Sequence, residues 1–253
     1  MSSLRELTFL FLLVLVANVG RCSDDFPVTI ERCRNEDKEC LKKTWNKYVR
    51  LTKPNGIPEL DVPNINEYFV KKSTLSPGGG PVDIVLKMKN IVLTGLDNVY
   101  YDDIIGFPKD PKEMTQFELI GRCPELGLKG KYNVTGKILL LPVSGDGDGE
   151  VNLYNIKFNI TALTSTEMVD GKEYLVITKV ICNYESQRNK YRFENLLHNK
   201  ELSDSINLVV NQNQEVINPE IKGPSGALIA EHFKKILSAV FKKYPYSSFF
   251  LQD

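Results

Sequence analysis

The chain has 253 residues with 32 basic and 32 acidic side chains, two histidines and a hydrophobic fraction of 42%. That is too apolar for a disordered chain, and the balanced charge lacks the clustered Lys and Arg that a nucleic-acid footprint needs. Two histidines leave little material for a zinc site or a histidine-based triad.

Met1 to Cys22 reads as a secretory signal. Arg5 gives a thinly basic start, Leu7 to Ala17 is an almost unbroken apolar run, and Gly20 and Cys22 occupy the −3 and −1 positions for cleavage before Ser23. A membrane anchor would need about 20 apolar residues, more than this run supplies. Removing 22 of 253 residues leaves 231, and takes Arg5, Arg21 and Glu6 with it, for a formal charge of −1. Cys22 goes too, leaving Cys33, Cys40, Cys123 and Cys182. An even number in an oxidising compartment points to disulfides, with three connectivities open. Cys33 and Cys40 close a short loop and form the natural first pair, which leaves Cys123 with Cys182.

After Cys40, residues Leu41, Trp45, Tyr48, Val49 and Thr52 follow helical spacing, and the pattern stops before Pro54 and Gly56. From Val82 the period becomes two: Val82, Ile84, Leu86 and Met88 alternate with Asp83, Val85, Lys87 and Lys89. Further strands are expected over 115–120, 128–143, 151–163 and 174–185, with turns at Gly145 to Gly149 and at Asp170-Gly171. The sequons at Asn133 and Asn159 fall within this alternation, each on the polar side, where a glycan could be carried.

The last third is helical again. Leu202, Ile206, Val209, Val210 and Ile217 keep helical spacing up to Pro219. A longer helix is expected from about Ser225 as N-cap to Tyr244, near 30 Å in length. Its apolar side carries Ile229, Ala230, Phe233, Ile236, Leu237, Val240, Phe241 and Tyr244 and exceeds half the circumference. A curved sheet wrapped around the helix would use so wide a stripe, and the expected fold is therefore α+β, a strongly curved antiparallel sheet around a long C-terminal helix with a short N-terminal helix. No linker divides the chain, so 23–253 is expected to be one domain.

Few chemical motifs survive inspection. Asp146, Asp148 and Glu150 resemble the start of a calcium loop, but Val151 stands where that loop requires glycine. There is no His-Glu-x-x-His, Gly-x-Ser-x-Gly or Cys-x-x-Cys. No metal, no cofactor and no catalysis are expected, although a hydrolase using a serine with His232 would be recognised by a nucleophile within hydrogen-bond reach of the ring.

In order along the chain stand Cys33-x6-Cys40-Leu41-Lys42, Gly56-Ile57-Pro58-Glu59-Leu60, the strand Leu86 to Asn90 leading to Gly95-Leu96, Gly130-Lys131-Tyr132 through Gly136, Leu141-Pro142, Asn207, Asn211-Gln212-Asn213, and Phe241-x3-Pro245-Tyr246. Together they make the chain resemble the takeout and juvenile-hormone-binding family of insect secreted proteins. Many relatives have Phe where Leu197 stands and an aromatic where Gln214 stands. The resemblance implies a tubular lipid-binding type of fold and a secreted, monomeric carrier of a small hydrophobic ligand, an isoprenoid like juvenile hormone, a fatty acid or similar. It also implies a link to circadian or feeding physiology, a receptor not identifiable from sequence, and neither nucleic-acid partners nor stable membrane insertion. The ligand would lie in an apolar tunnel walled by Tyr132, Phe158, Ile229, Phe233, Ile236 and Val240, with Trp45 and Tyr48 at the gate. The alternative is an extracellular protein-interaction module without a lipid cavity.

Overall fold

The structure, a computed structural model, describes residues 26, 27, 29–52 and 54–252. The expected signal segment, 1–22, lies outside them. Met1–Ile30 and Glu31–Asp253 are separate compact units. In the first, the Ile30 N–H donates to the Pro27 carbonyl at 3.0 Å. The second carries every element below.

Helix α1 spans Lys38–Leu51 and starts at Asp37, whose carboxylate accepts the Cys40 N–H at 3.0 Å. A disulfide joins Cys33 to Cys40 just ahead of it and in its first turn. Six strands follow: β1 (Glu67–Leu75), β2 (Val82–Thr94), β3 (Tyr100–Ile105), β4 (Gln116–Ile138), β5 (Leu141–Val169) and β6 (Lys172–Phe193). Two helices close the chain, α2 (Lys200–Gln212) and α3 (Gln214–Lys243).

The strands form one antiparallel sheet in the order β1-β2-β4-β5-β6. β2 and β3 lie end to end along β4, the first paired with its second half and the other with its first half. A 29-residue strand such as β5 would run about 95 Å if straight. Strands of this length coil, and register shifts between Lys89 and Val92, Tyr101 and Asp103, and Leu163 and Thr164 bend them further. The curvature brings both edge strands to one helix, since α3 packs against β6 and also meets β1. The expected α+β arrangement of a curved sheet around a long C-terminal helix is what forms.

Side-chain amides cover the free edge of β6. Asn207, Asn211 and Gln214 each accept a backbone N–H and donate to the carbonyl of the same residue, namely Phe193, Tyr191 and Asn189, at 2.7–2.9 Å. Alternate strand residues lie about 6.6 Å apart and residues four apart on a helix about 6 Å, so Asn207 and Asn211 on α2 match the strand repeat, and Gln214 continues it from the start of α3. Asn46 on α1 grips Tyr101 on β3 in the same way, at 2.8 and 2.9 Å. The amides supply partners that an edge strand otherwise lacks.

Three expectations are corrected. The first is the pair Cys123–Cys182, both free thiols. Cys123 lies on β4 opposite Ile156 and Cys182 on β6 opposite Ile160, with β5 between them. Two strand spacings and four residues of offset put them roughly 16 Å apart, beyond the reach of about 7 Å that a disulfide tolerates. The second is the turn at Gly145 to Gly149, which is interior strand. The β4–β5 turn falls at Leu139 and Leu140 instead. Asp148 and Glu150 face water and pair with Lys131 and Lys129, while Gly147 faces inward, where a Cβ would stand 2.8 Å from the Glu194 carbonyl. The third is the helix boundary. The break comes at Asn213, and α3 runs unbroken through Pro219 and Pro224 for 30 residues, about 45 Å. Packing on β6 overrides the prolines: Gly226 is pressed so close that a Cβ would stand 2.6 Å from the Cys182 carbonyl. Ser225 is therefore mid-helix, its hydroxyl turned to the Ile221 carbonyl at 2.6 Å.

Candidate functional site

The inner face of the sheet and α3 enclose two apolar cores rather than one. The first gathers Phe117, Leu119 and Cys123 on β4, Ile156 and Ile160 on β5, and Ala230, Leu237 and Phe241 on α3. The second gathers Val82 to Ile91 on β2, Tyr132 and Val134 on β4, Val143 on β5, Ile206 and Val210 on α2, and Ile217 on α3. Along each of β4, β5 and α3 a gap separates the two sets. It is spanned by Leu126, Leu153 and Ile229, packed against the first core, and by Leu128, Val151 and Ile221, packed against the second, apolar side chains that are only half-buried although they face inward. The seam where the two cores meet is thus lined by inward apolar side chains that are not fully buried.

The register carries one row of side chains across the sheet through this seam. Tyr68 on β1 pairs with Leu93, Leu93 with Leu128, Leu128 with Val151, and Val151 with Tyr191 on β6. Both ends of the row are tied to α3. The Tyr68 hydroxyl lies 3.2 Å from Nδ1 of His232, the rings edge to face at 5.6 Å. The Tyr191 hydroxyl donates to Oδ1 of Asn218 and accepts from Nδ2 of Asn189, both at 2.9 Å. Nearby, the Tyr184 and Ser225 hydroxyls share a hydrogen bond of 2.7 Å. Burial raises the Tyr184 and Tyr191 hydroxyls above the usual phenol value. Tyr184, Asn189 and Tyr191 on β6 are thus partnered with one another or with Asn218 and Ser225 on α3, and between Tyr68 and Tyr191 the row is apolar at Leu93, Leu128 and Val151.

Of the residues singled out from sequence, Trp45, Phe158, Ile229 and Phe233 pack on the first core. Trp45 and Phe158 flank Tyr101 from two sides, at 5.6 and 5.9 Å between ring centres. Tyr132 belongs to the second core, its ring against Phe193 and its hydroxyl donating to the Glu194 carbonyl. Ile236 and Val240 are half-buried on α3. Tyr48 is half-buried on α1, its hydroxyl accepting the Glu31 N–H at 2.6 Å. Asn133 is exposed on the outer face. Asn159 is half-buried, and its amide nitrogen, the atom a glycan would occupy, donates to Glu118 at 3.1 Å. The seam itself and the Tyr68–His232 contact were missed, because nothing local marks one inward leucine as less tightly packed than the next.

Two surface pockets stand out among the described residues, and neither has an α3 residue in its lining. One, of about 580 Å³, lies between α1 and Tyr100 and is rimmed by Glu31, Asp37, Glu39, Lys42 and Lys43. The other, of about 280 Å³, lies between α2 and the start of β5 and is lined almost wholly by apolar side chains. Among the described residues no group of His, Cys, Asp and Glu is arranged to hold a metal ion, and no helix is long and apolar enough to cross a membrane.

The fold is similar to that of Takeout 1 from Epiphyas postvittana, with a TM-score of 0.73 and 22% identity over 85% of this chain and 97% of that one. In sequence the chain is 30% identical to the circadian clock-controlled protein daywake of Drosophila melanogaster, over 91% of this chain and 90% of that protein. It is 28% identical to daywake of Drosophila yakuba, over 96% and 95%. Residues 9–251 match the family described as haemolymph juvenile hormone binding protein, which is nearly the whole chain, and the chain belongs to that family.

Proposed function

We propose that this protein is a secreted carrier of a small hydrophobic molecule, held in the seam between α3 and the inner face of the sheet. The observation that carries this reading is the half-buried apolar strip at Leu93, Leu128 and Val151, packed against the second core where it meets the first, with the polar groups of neighbouring Tyr191 already satisfied. An apolar guest there leaves water without stranding a buried polar group. About ten buried CH₂ groups would contribute roughly 8 kcal/mol, enough for micromolar affinity before ordering costs. Membership of a family described by haemolymph juvenile hormone binding supports an isoprenoid or fatty-acid class of ligand and an extracellular setting. The Cys33–Cys40 disulfide suits that setting, and the clock-controlled name of the daywake relatives supports a circadian connection.

The test is native purification from the secreting tissue or cell medium, followed by lipid extraction and mass spectrometry. A stoichiometric co-purifying apolar molecule is expected. Protein that yields no such molecule and takes up no apolar fluorescent probe would overturn the reading.

A further inference from the structure

One end of the sheet, where β1 turns into β2 and β4 into β5, has no charged residue in either loop, although the Glu220 carboxylate of α3 stands against Gly80. The two loops lie side by side, with the Leu139 N–H donating to the Pro81 carbonyl at 2.6 Å. Neither Ser76 to Val82 nor Ile138 to Gly145 contains a charged residue. Leu140 stands 95% exposed at the hairpin tip, with Leu141 and Leu202 also exposed close by. Beside them opens the groove of about 280 Å³, between Leu141 and Pro142 on the hairpin and Leu202 and Ile206 on α2. Its one hydroxyl, on Ser205, is turned to the Glu201 carbonyl at 2.9 Å. Ile206 also belongs to the second core, so the groove is floored by that core.

We infer that this end docks on a zwitterionic phospholipid surface, with Leu140 inserted and the groove opening onto the lipid. A leucine almost wholly in water at a turn, next to an apolar groove, gains by leaving water together with it. The charges nearby choose the occupant. Asp83 and Lys137 are cross-strand partners and Lys200 pairs with Asp204 at 2.9 Å, while the Glu220 carboxylate beside Gly80 adds negative charge, so among the described residues no basic cluster stands there to attract anionic lipid. The inference rests on the carrier reading, since a ligand insoluble in water must be collected from or delivered to a lipid phase.

The experiment is co-sedimentation with phosphatidylcholine vesicles, run on the wild type and on Leu140→Asp, beside binding of an apolar fluorescent probe in vesicle-free solution. The wild type is expected to sediment with vesicles equally at low salt and at about 0.5 M salt, where surface charge is screened. Leu140→Asp should lose about tenfold or more in vesicle affinity while binding the probe as before. Wild type remaining in the supernatant, or Leu140→Asp sedimenting equally well, would overturn the inference. So would size-exclusion showing a dimer that Leu140→Asp splits, because the patch would then be covered by a second copy. The vesicle arm decides docking alone and the probe arm decides the carrier reading alone, so the two fail separately.

Discussion

Asn211 on α2 holds both backbone groups of Tyr191 on β6: its carbonyl oxygen accepts the N–H at 2.9 Å and its amide nitrogen donates to the carbonyl at 2.8 Å. Tyr191 is also the residue whose hydroxyl ties the inner row to Asn218 on α3. A single amide therefore fixes the strand edge on which that end of the candidate site depends. Asn211→Leu would leave the two backbone groups without partners. Stability is expected to fall by roughly 2–4 kcal/mol, read as a lower urea midpoint with unchanged slope. A midpoint equal to that of the wild type would show that water satisfies the edge as well as the amide does.

How much of this was legible in the sequence depends on whether a residue's neighbours are local. The period-two run of β2, the stripe of α1 and the Asp170-Gly171 hairpin, with both residues at positive φ, are set by nearest neighbours and could be read. β1 was missed because Phe69 points outward between Tyr68 and Val70, which hides the alternation. β3 was missed because its register shifts after Tyr101, so its acids and apolar residues do not alternate. Gly-Asp-Gly-Asp-Gly read as a turn because its glycines, taken alone, fit one. What they serve is the approach of the chain after β6, a contact across some 50 residues that no local rule contains. The same limit applies to the seam: an inward leucine looks alike in sequence whether it ends up fully or half-buried.

His232 should make the protein less stable in acid. Burial, with Lys235 next in importance and Glu231 opposing, lowers its pKa below the ordinary 6.5. From β1 the group facing it is the Tyr68 hydroxyl. Because the folded value lies below the unfolded one, the unfolded chain binds more protons as pH falls through 6.5, and stability drops until the folded ring also protonates. The urea midpoint should decline between about pH 7 and pH 5, and His232→Gln should flatten that segment. Parallel curves for the two proteins would assign the slope to other groups.

Cys123 and Cys182 should behave as slow thiols. Burial pushes both up to about 11. At pH 8 the thiolate fraction is then about a hundredfold below that of a thiol at the ordinary 9.0, and alkylation should slow accordingly. In denaturant both should react quickly, with Cys33 and Cys40 protected until reduction. Two unreactive sulfurs at Cys123 and Cys182 in denaturant would mean that they are paired after all.

Leu128→Trp distinguishes a fillable seam from a packed one. Leu128 is the middle residue of the row from Tyr68 to Tyr191, half-buried and facing α3. If the interior were solid there, the larger ring would force its neighbours off their rotamers and cost about 1–3 kcal/mol. If the seam is open, the indole should occupy it with little loss or a small gain in stability, because its ring leaves water for an apolar surround. Probe binding should then fall sharply, since the guest and the ring compete for one volume. Unchanged probe affinity in a stable Leu128→Trp protein would move the ligand site away from this row. Destabilisation by more than about 2 kcal/mol would mean that the half-burial of Leu128 does not mark usable space.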